Sequence, residues 1–369
     1  MNLERLVSPD YIDPILSKCL LTTSEDVQRI LQKPKKDVAD LPTLLSPAAT
    51  KYIEQMAQLS QSITLQRFGK TMQLFAPMYI SNECYNTCTY CGFSMERKTL
   101  RKTLTKEEIH TECKFLKKKG VDHILVLTGE SPKKVDALFI KEAIEIISQY
   151  FSSISIEVQP LETEEYKMLL EKGVDGLTLY QETYHPEAYA KYHLFGIKKN
   201  YSNRLDASVR GGKAGFFKMG LGALLGLHDW RYEALAMGQH LHFMRKNFWR
   251  TKYTVSFNRI NEMGSTFKQQ YPVSDITLVQ LIVAFRIIFP DIGISLSTRE
   301  PQHLRNKLIH MGITIMSAES STAPGGYSVG DAEKQFETSD KRSFKEIKDL
   351  LLNQNYDPVM KDWDTTLSL

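Results

Sequence analysis

From about residue 72 onward, short β-prone runs alternate with helical segments, and this alternation constrains the fold more than any other property of the chain. Eight such runs stand at 72–80, 123–128, 153–159, 176–181, 217–223, 253–257, 292–297 and 313–317. Runs such as Ile124-Leu125-Val126-Leu127 are continuously apolar, the pattern of strands covered on both faces. Between them, segments 105–119, 132–150, 162–172, 230–247 and 274–289 carry helical spacing, clearest at Leu278, Leu281, Ile282, Phe285 and Ile288. Such βα units build a parallel sheet. Eight of them predict an α/β chain closed into a TIM-type (β/α)8 barrel, whose catalytic groups stand at the C-terminal ends of the strands. A chain of 369 residues accommodates one such barrel with additions.

The additions read as helical. Residues 1–70 form an N-terminal extension, and 71–369 the barrel with a C-terminal helical tail; no Pro/Gly/Ser-rich linker divides them. Ser46 can cap a helix that Pro47 begins, with Tyr52, Met56, Leu59 and Ile63 on one face and a stop near Gly69. A further helix is expected from Glu25 to Leu31. Cys19 and Cys113 lie in apolar helical settings and read as small buried hydrophobes. Trp230, Trp249 and Trp363 read as packing residues.

The second strand of the eight is preceded by the densest chemistry in the chain. Immediately after the first strand, Cys84, Cys88 and Cys91 are spaced C-x3-C-x2-C. Three thiolates this close can hold a four-iron cluster by three corners and leave one iron open. A structural zinc knuckle is the alternative, but it closes with a fourth protein ligand, and no second C-x2-C or Cys/His pair exists here.

Other strand ends also carry polar groups. The second closes on Thr128-Gly129-Glu130, which is either a site carboxylate or an ordinary turn whose acid begins the next helix. In Ile156-Glu157-Val158-Gln159-Pro160, alternation points Glu157 and Gln159 to the same side. The fourth strand ends Tyr180-Gln181-Glu182-Thr183-Tyr184-His185, a polar and aromatic string typical of a rim site. Arg299 suits a carboxylate ligand, or a salt bridge to Glu300 or another rim acid; Ser317 ends the adjoining eighth strand. Pro324-Gly325-Gly326 lacks the strand-to-helix context of a phosphate loop.

Charge and cysteine usage exclude several classes. Lys+Arg 47 against Asp+Glu 43 leaves +4, too little to imply nucleic acid. The lysine runs at 117–119 and 198–199 read as helix ends or solvated faces. The N-terminus lacks the long apolar run of a signal peptide or membrane helix. Five cysteines, three of them clustered, suit a reducing compartment and a cytoplasmic location.

The cysteine motif, with Tyr90 before its last member, resembles the signature of radical S-adenosylmethionine (SAM) enzymes. Arg67-Phe68-Gly69, Thr128-Gly129-Glu130, Glu157-Val158-Gln159-Pro160-Leu161, Tyr180 to Tyr184, Gly220-Leu221-Gly222-Ala223-Leu224, Leu296 to Glu300 and Lys361-Asp362-Trp363-Asp364 narrow the resemblance. Together they look like the 2-iminoacetate synthases, the tyrosine lyases of thiamine thiazole synthesis, over nearly the whole chain. The resemblance implies that Cys84, Cys88 and Cys91 hold a [4Fe-4S] cluster whose open iron takes the amino and carboxylate groups of SAM. Glu130 would accept from the methionine amino group, with Glu157 a candidate for the ribose or amino end. Arg299 and Ser317 would bind the carboxylate of L-tyrosine. A deoxyadenosyl radical would take hydrogen from the tyrosine amino group, and Cα–Cβ cleavage would give 2-iminoacetate and p-cresol. Implied partners are a thiazole synthase subunit and a flavodoxin or ferredoxin electron donor, with neither nucleic acid nor membrane involved.

The chain departs from that pattern at Phe257-Asn258-Arg259, where the family leads one to expect a proline, which leaves the role of Arg259 open. The tyrosine lyases of hydrogenase maturation are similar but add a C-terminal domain with further cysteines, whereas none follows Cys113 here. A tryptophan-cleaving relative and a non-catalytic iron–sulfur or zinc protein are the remaining alternatives.

Overall fold

Ahead of the sheet, helices α1 (Leu3–Leu6), α2 (Pro9–Leu20), α3 (Ser24–Gln32), α4 (Leu41–Leu44) and α5 (Ile53–Phe68) lie in the computed structural model, which describes residues 2–260, 267–330 and 332–361. Trp363 and the 362–364 part of its motif lie outside the described residues. Ser46 does start the last helical run, its Oγ accepting from the Ala49 amide at 3.2 Å. The first turn, however, is a 3-10 helix over Ala48–Tyr52, and the α-helix follows at Ile53. Gly69 stops it at φ +60°, a backbone state that strains L side chains.

The barrel follows as β1 (Thr71–Ser81), a short β2 (Thr87–Cys88), α6 (Lys106–Lys118), β3 (His123–Thr128), α7 (Ala137–Ile147), β4 (Ser153–Glu157), α8 (Thr163–Leu170) and β5 (Gly176–Glu182). It continues through α9 (Pro186–Tyr192), β6 (His193–Phe195), α10 (Tyr201–Ala214), β7 (Lys218–Leu225), α11 (Trp230–Asn247), β8 (Lys252–Arg259) and α12 (Asp275–Ile288). Then come β9 (Gly293–Leu296), α13 (Gln302–Leu308), β10 (Ile315–Ser317), α14 (Phe344–Asn353) and β11 (Asp357–Val359). Strands pair in parallel in the order β1-β3-β4-β5-β7-β8-β9-β10. Pairing of Gln73, Leu74 and Phe75 with Ile315, Met316 and Ser317 returns β10 to β1 and closes the barrel. Strand β11 adds to the start of β1, and β2 pairs antiparallel with β6 in a small ladder of its own.

The N-terminal helices cover α11 and α12 through specific polar contacts over an apolar interface. Gln280 Nε2 donates to the carbonyls of Leu44 and Ser46, both at 3.0 Å, Arg231 Nε donates to Leu45, and Tyr232 OH donates to Val7. Cys19 and Cys113 are fully buried, and burial pushes each thiol up to about 12, as small apolar fillers behave. Among the described residues no helix is long and apolar enough to cross a membrane.

Three sequence expectations change. Strand β4 ends at Glu157, so Gln159 does not share its face: the Gln159 amide donates to the Val135 carbonyl at 3.1 Å. Helix α10 escaped the sequence reading because Gly211-Gly212 and its many polar residues weaken the helical signal. Those glycines are there for clearance: a Cβ on Gly211 would lie 2.5 Å from the Leu177 side chain, and one on Gly212 2.6 Å from the Phe248 ring. Trp249, expected to pack, is 74% exposed.

Candidate active site

The cysteine loop leaves β1 at the C-terminal mouth of the barrel and is fastened on three sides. Arg101 donates to the carbonyls of Asn82, Phe93 and Ser94, stapling the loop's two ends together. The β2–β6 ladder ties Thr87 and Cys88 to Phe195 and His193. Gly196, at φ +89°, passes so close that a Cβ there would meet Asn86 Oδ1 at 2.2 Å. Asn86 in turn accepts from the Lys198 amide at 3.0 Å. The loop is thus held by backbone and buried amides, which suits a site that must keep three sulfurs in place.

Behind the loop lie two acids and two bases. Arg204 NH1 meets Glu130 Oε1 at 2.8 Å and its NH2 approaches Glu182 at 3.4 Å; Lys198 Nζ pairs with Glu182 at 2.7 Å. Asn86 Nδ2 donates to the other Glu130 oxygen at 2.9 Å. Burial alone would raise the Glu182 carboxyl, yet Lys198 and Arg204 outweigh it and hold it down at about 2. Glu182 also sits at φ +70° on a β-bulge, a strained state for a non-glycine residue. Lys198, expected on a solvated face, is instead largely withdrawn from solvent, because Glu182 and Glu130 repay its desolvation. Sequence flagged Glu182 as part of a rim string; Arg204, on the unrecognised α10, gave no signal.

A cavity of about 520 Å³ opens at this mouth. Cys91, Glu157, Glu182, Lys198, Arg299 and Ser317 are among the residues lining it, so strand ends far apart in sequence converge on one space. Glu130 is not among them. Its two oxygens each accept one hydrogen bond, from Arg204 and Asn86, so it supports the loop and keeps lone pairs for a further donor. Burial, reinforced by Glu182, pushes the Glu157 carboxyl up to about 7. Of the rim string, Tyr180 and Glu182 face the cavity, whereas Thr183 and the Tyr184 amide bond to buried Glu233.

Arg299 forms no salt bridge to Glu300. Glu300 pairs with Arg259, which also meets Asp275 at 2.9 Å and the Val273 carbonyl at 2.8 Å, so Arg259 is a structural clamp. Among the described residues no carboxylate lies within ion-pair distance of Arg299. Its guanidinium stacks on Phe336 instead. Ser317 Oγ accepts from the Thr298 amide at 3.1 Å, leaving its own proton to give.

Comparison with known proteins fits this geometry. Residues 78–236 match the model of the radical SAM superfamily, and 256–357 that of the biotin and thiamin synthesis associated domain. The chain is 43% identical to the 2-iminoacetate synthase of Salmonella typhimurium, covering 94% of this chain and 92% of that protein. Identity to the Escherichia coli 2-iminoacetate synthase is 41% over the same shares. The chain belongs to the 2-iminoacetate synthase family of radical SAM enzymes. A crystal structure of HydG, a maturase of the [FeFe]-hydrogenase, superposes with a TM-score of 0.91 at 31% identity, over 97% of this chain and 81% of that one.

Enzymes of this family use a [4Fe-4S] cluster and SAM. The residues present suit such a cluster. All three thiols are free of disulfides, and N–H groups approach two of the sulfurs: Asn86 Nδ2 to Cys84 at 3.8 Å, Phe93 N to Cys91 at 3.4 Å and Gln335 Nε2 to Cys91 at 3.8 Å. Tyr79, Phe93, Leu125 and Leu127 give them an apolar wall. A larger cavity, about 790 Å³, opens at the opposite, N-terminal end of this family member's barrel and is lined by Arg67, Lys218, Arg245 and Lys252. None of the three clustered cysteines lines it, so size does not choose the site.

Proposed function

We propose that the protein cleaves the Cα–Cβ bond of L-tyrosine to 2-iminoacetate and p-cresol, supplying the thiazole ring of thiamine. The observation that carries this is the convergence of Cys91, Glu157, Arg299 and Ser317 on one cavity in a chain 43% identical to a 2-iminoacetate synthase. When bound, the cluster supplies the electron that splits the SAM sulfonium and starts the radical reaction. The remaining work falls to the chain. Cys84, Cys88 and Cys91 would hold the cluster. Arg299, cationic and without an acidic partner among the described residues, takes the tyrosine carboxylate, with the Ser317 hydroxyl donating to it. Glu157 and Glu182 present negative charge to the cationic cofactor, while Glu130 supports the loop through Asn86 and Arg204. The enclosing barrel keeps the two substrates in line and water away.

The chemistry implies a thiazole synthase subunit that consumes the unstable imine and a flavodoxin or ferredoxin that delivers the electron. Free buried thiols suit a cytoplasmic setting. An anaerobic assay offering tyrosine and tryptophan together tests the reading: p-cresol supports it, and an indole product would assign the protein to tryptophan.

A further inference from the structure

The cavity's roof comes from far along the chain. Residues 332–337 cross over the mouth, and Gln335 is the point where they join the cysteine loop. The Tyr79 hydroxyl donates to Gln335 Oε1 at 2.7 Å, and Gln335 Nε2 reaches Cys91 Sγ at 3.8 Å. Its main-chain carbonyl accepts from the Gly92 amide at 3.1 Å, and its own amide donates to the Thr322 carbonyl at 2.9 Å. The approach is tight enough to dictate sequence: a Cβ on Gly92 would stand 2.3 Å from the Gln335 carbonyl oxygen. A cluster thiolate can only accept, so the amide must turn its NH2 toward Cys91 and its oxygen toward Tyr79.

We propose that Gln335 is a positioning residue for the cluster, fixing Cys91 and raising the cluster's reduction potential through an N–H···S hydrogen bond; this rests on the cluster reading above. Reduction adds negative charge that spreads onto the ligating sulfurs, and a donor aimed at a sulfur favours the reduced state. Cys91 receives a second donor from the Phe93 amide, so loss of the Gln335 amide shifts the potential without removing all support. Gln335 thereby couples the C-terminal roof to the redox centre across 244 residues of sequence.

The test is a redox titration of the anaerobically reconstituted holoenzyme, with iron content and the EPR signal of the reduced cluster measured alongside. Gln335→Glu keeps the length and the acceptor for Tyr79 but loses the donor; Gln335→Leu loses both. Both variants are expected to titrate at more negative potential than wild type, Gln335→Glu further because it adds charge beside the sulfur. Wild-type protein labelled with 15N in the glutamine side-chain amides should show a nitrogen coupling to the reduced cluster. Loaded variants that titrate with wild type overturn the assignment of Gln335 and leave the lyase reading standing. Failure of wild type itself to take up iron overturns the cluster reading. Should a variant lose its cluster, the labelled wild type decides: coupling supports the assignment, and its absence overturns it.

Discussion

The Arg299 guanidinium lies over the Phe336 ring, its Cζ 3.4 Å from the ring centroid, at the wall of the cavity that Cys91 and Glu157 also line. An arginine held this way is oriented without being neutralised, which is what a carboxylate clamp needs. Arg299→Ala should lower kcat/KM for tyrosine by roughly ten- to a hundredfold, the value of a charge-assisted hydrogen bond of about 1.5–3 kcal/mol. Some uncoupled deoxyadenosine formation should survive. Unchanged tyrosine kinetics would remove Arg299 from the role.

Phe336→Leu keeps an apolar contact but loses the stacking face. A stacking contribution of about 0.5–2 kcal/mol predicts a smaller loss, roughly two- to thirtyfold and mostly in KM for tyrosine. Steady-state kinetics on both variants would separate clamp from support; a loss in kcat alone would contradict it.

With Glu157 in its proposed place beside the cofactor, SAM binding should depend on pH. The Glu157 carboxyl is raised to about 7, so below that pH the free protein carries it mainly protonated. Cationic SAM favours the ionised form, so binding releases a proton below pH 7. Affinity should therefore rise with pH up to about 7, by at most about tenfold per unit, and level off above it. The same sign makes the buried neutral acid's contribution to stability present below its unfolded pKa and lost as pH rises through about 7. Calorimetric titration of SAM into wild type and Glu157→Gln checks this: the variant should lose the slope.

Arg204 balances two buried acids. Arg204→Met would leave Glu130 only the longer pairing with Lys198 at 3.9 Å and weaken the pairing of Glu182, at a cost of up to about 3–5 kcal/mol. Urea unfolding of the metal-free protein should show the loss before any assay of activity. A midpoint equal to wild type would mean that Lys198 and Asn86 suffice.

Gly92→Ala places a methyl against backbone carbonyls of Gln335 and Lys334, at 2.3 and 2.8 Å. Backbone atoms cannot swing aside as a flexible side chain can, so the loop must shift. Iron retained after reconstitution should fall well below wild type, and full retention would show that the roof is free to move.

The barrel was legible because continuously apolar runs such as Ile124–Leu127 and amphipathic α12 announce their periods. So were the three cysteines, whose ligand set is local in sequence. What sequence hid was non-local. Thr128-Gly129-Glu130 put Glu130 at the rim, but its partner Arg204 lies 74 residues on, in a helix masked by its own glycines. Lys198 looked like one of two surface lysines, and only the fold brings Glu182 to it. Phe336 and Gln335 sit in a loop without periodicity, so their contacts with Arg299 and Cys91 had no local signature.

The central claim is that three thiols and one arginine serve a radical cleavage of tyrosine. The most direct measurement follows deoxyadenosine and p-cresol together after anaerobic reconstitution with iron, sulfide, tyrosine, SAM and a reductant. Wild type should form both, and Cys88→Ala neither. Protein that carries about one zinc and no iron, or that forms deoxyadenosine without p-cresol from tyrosine, would contradict the account.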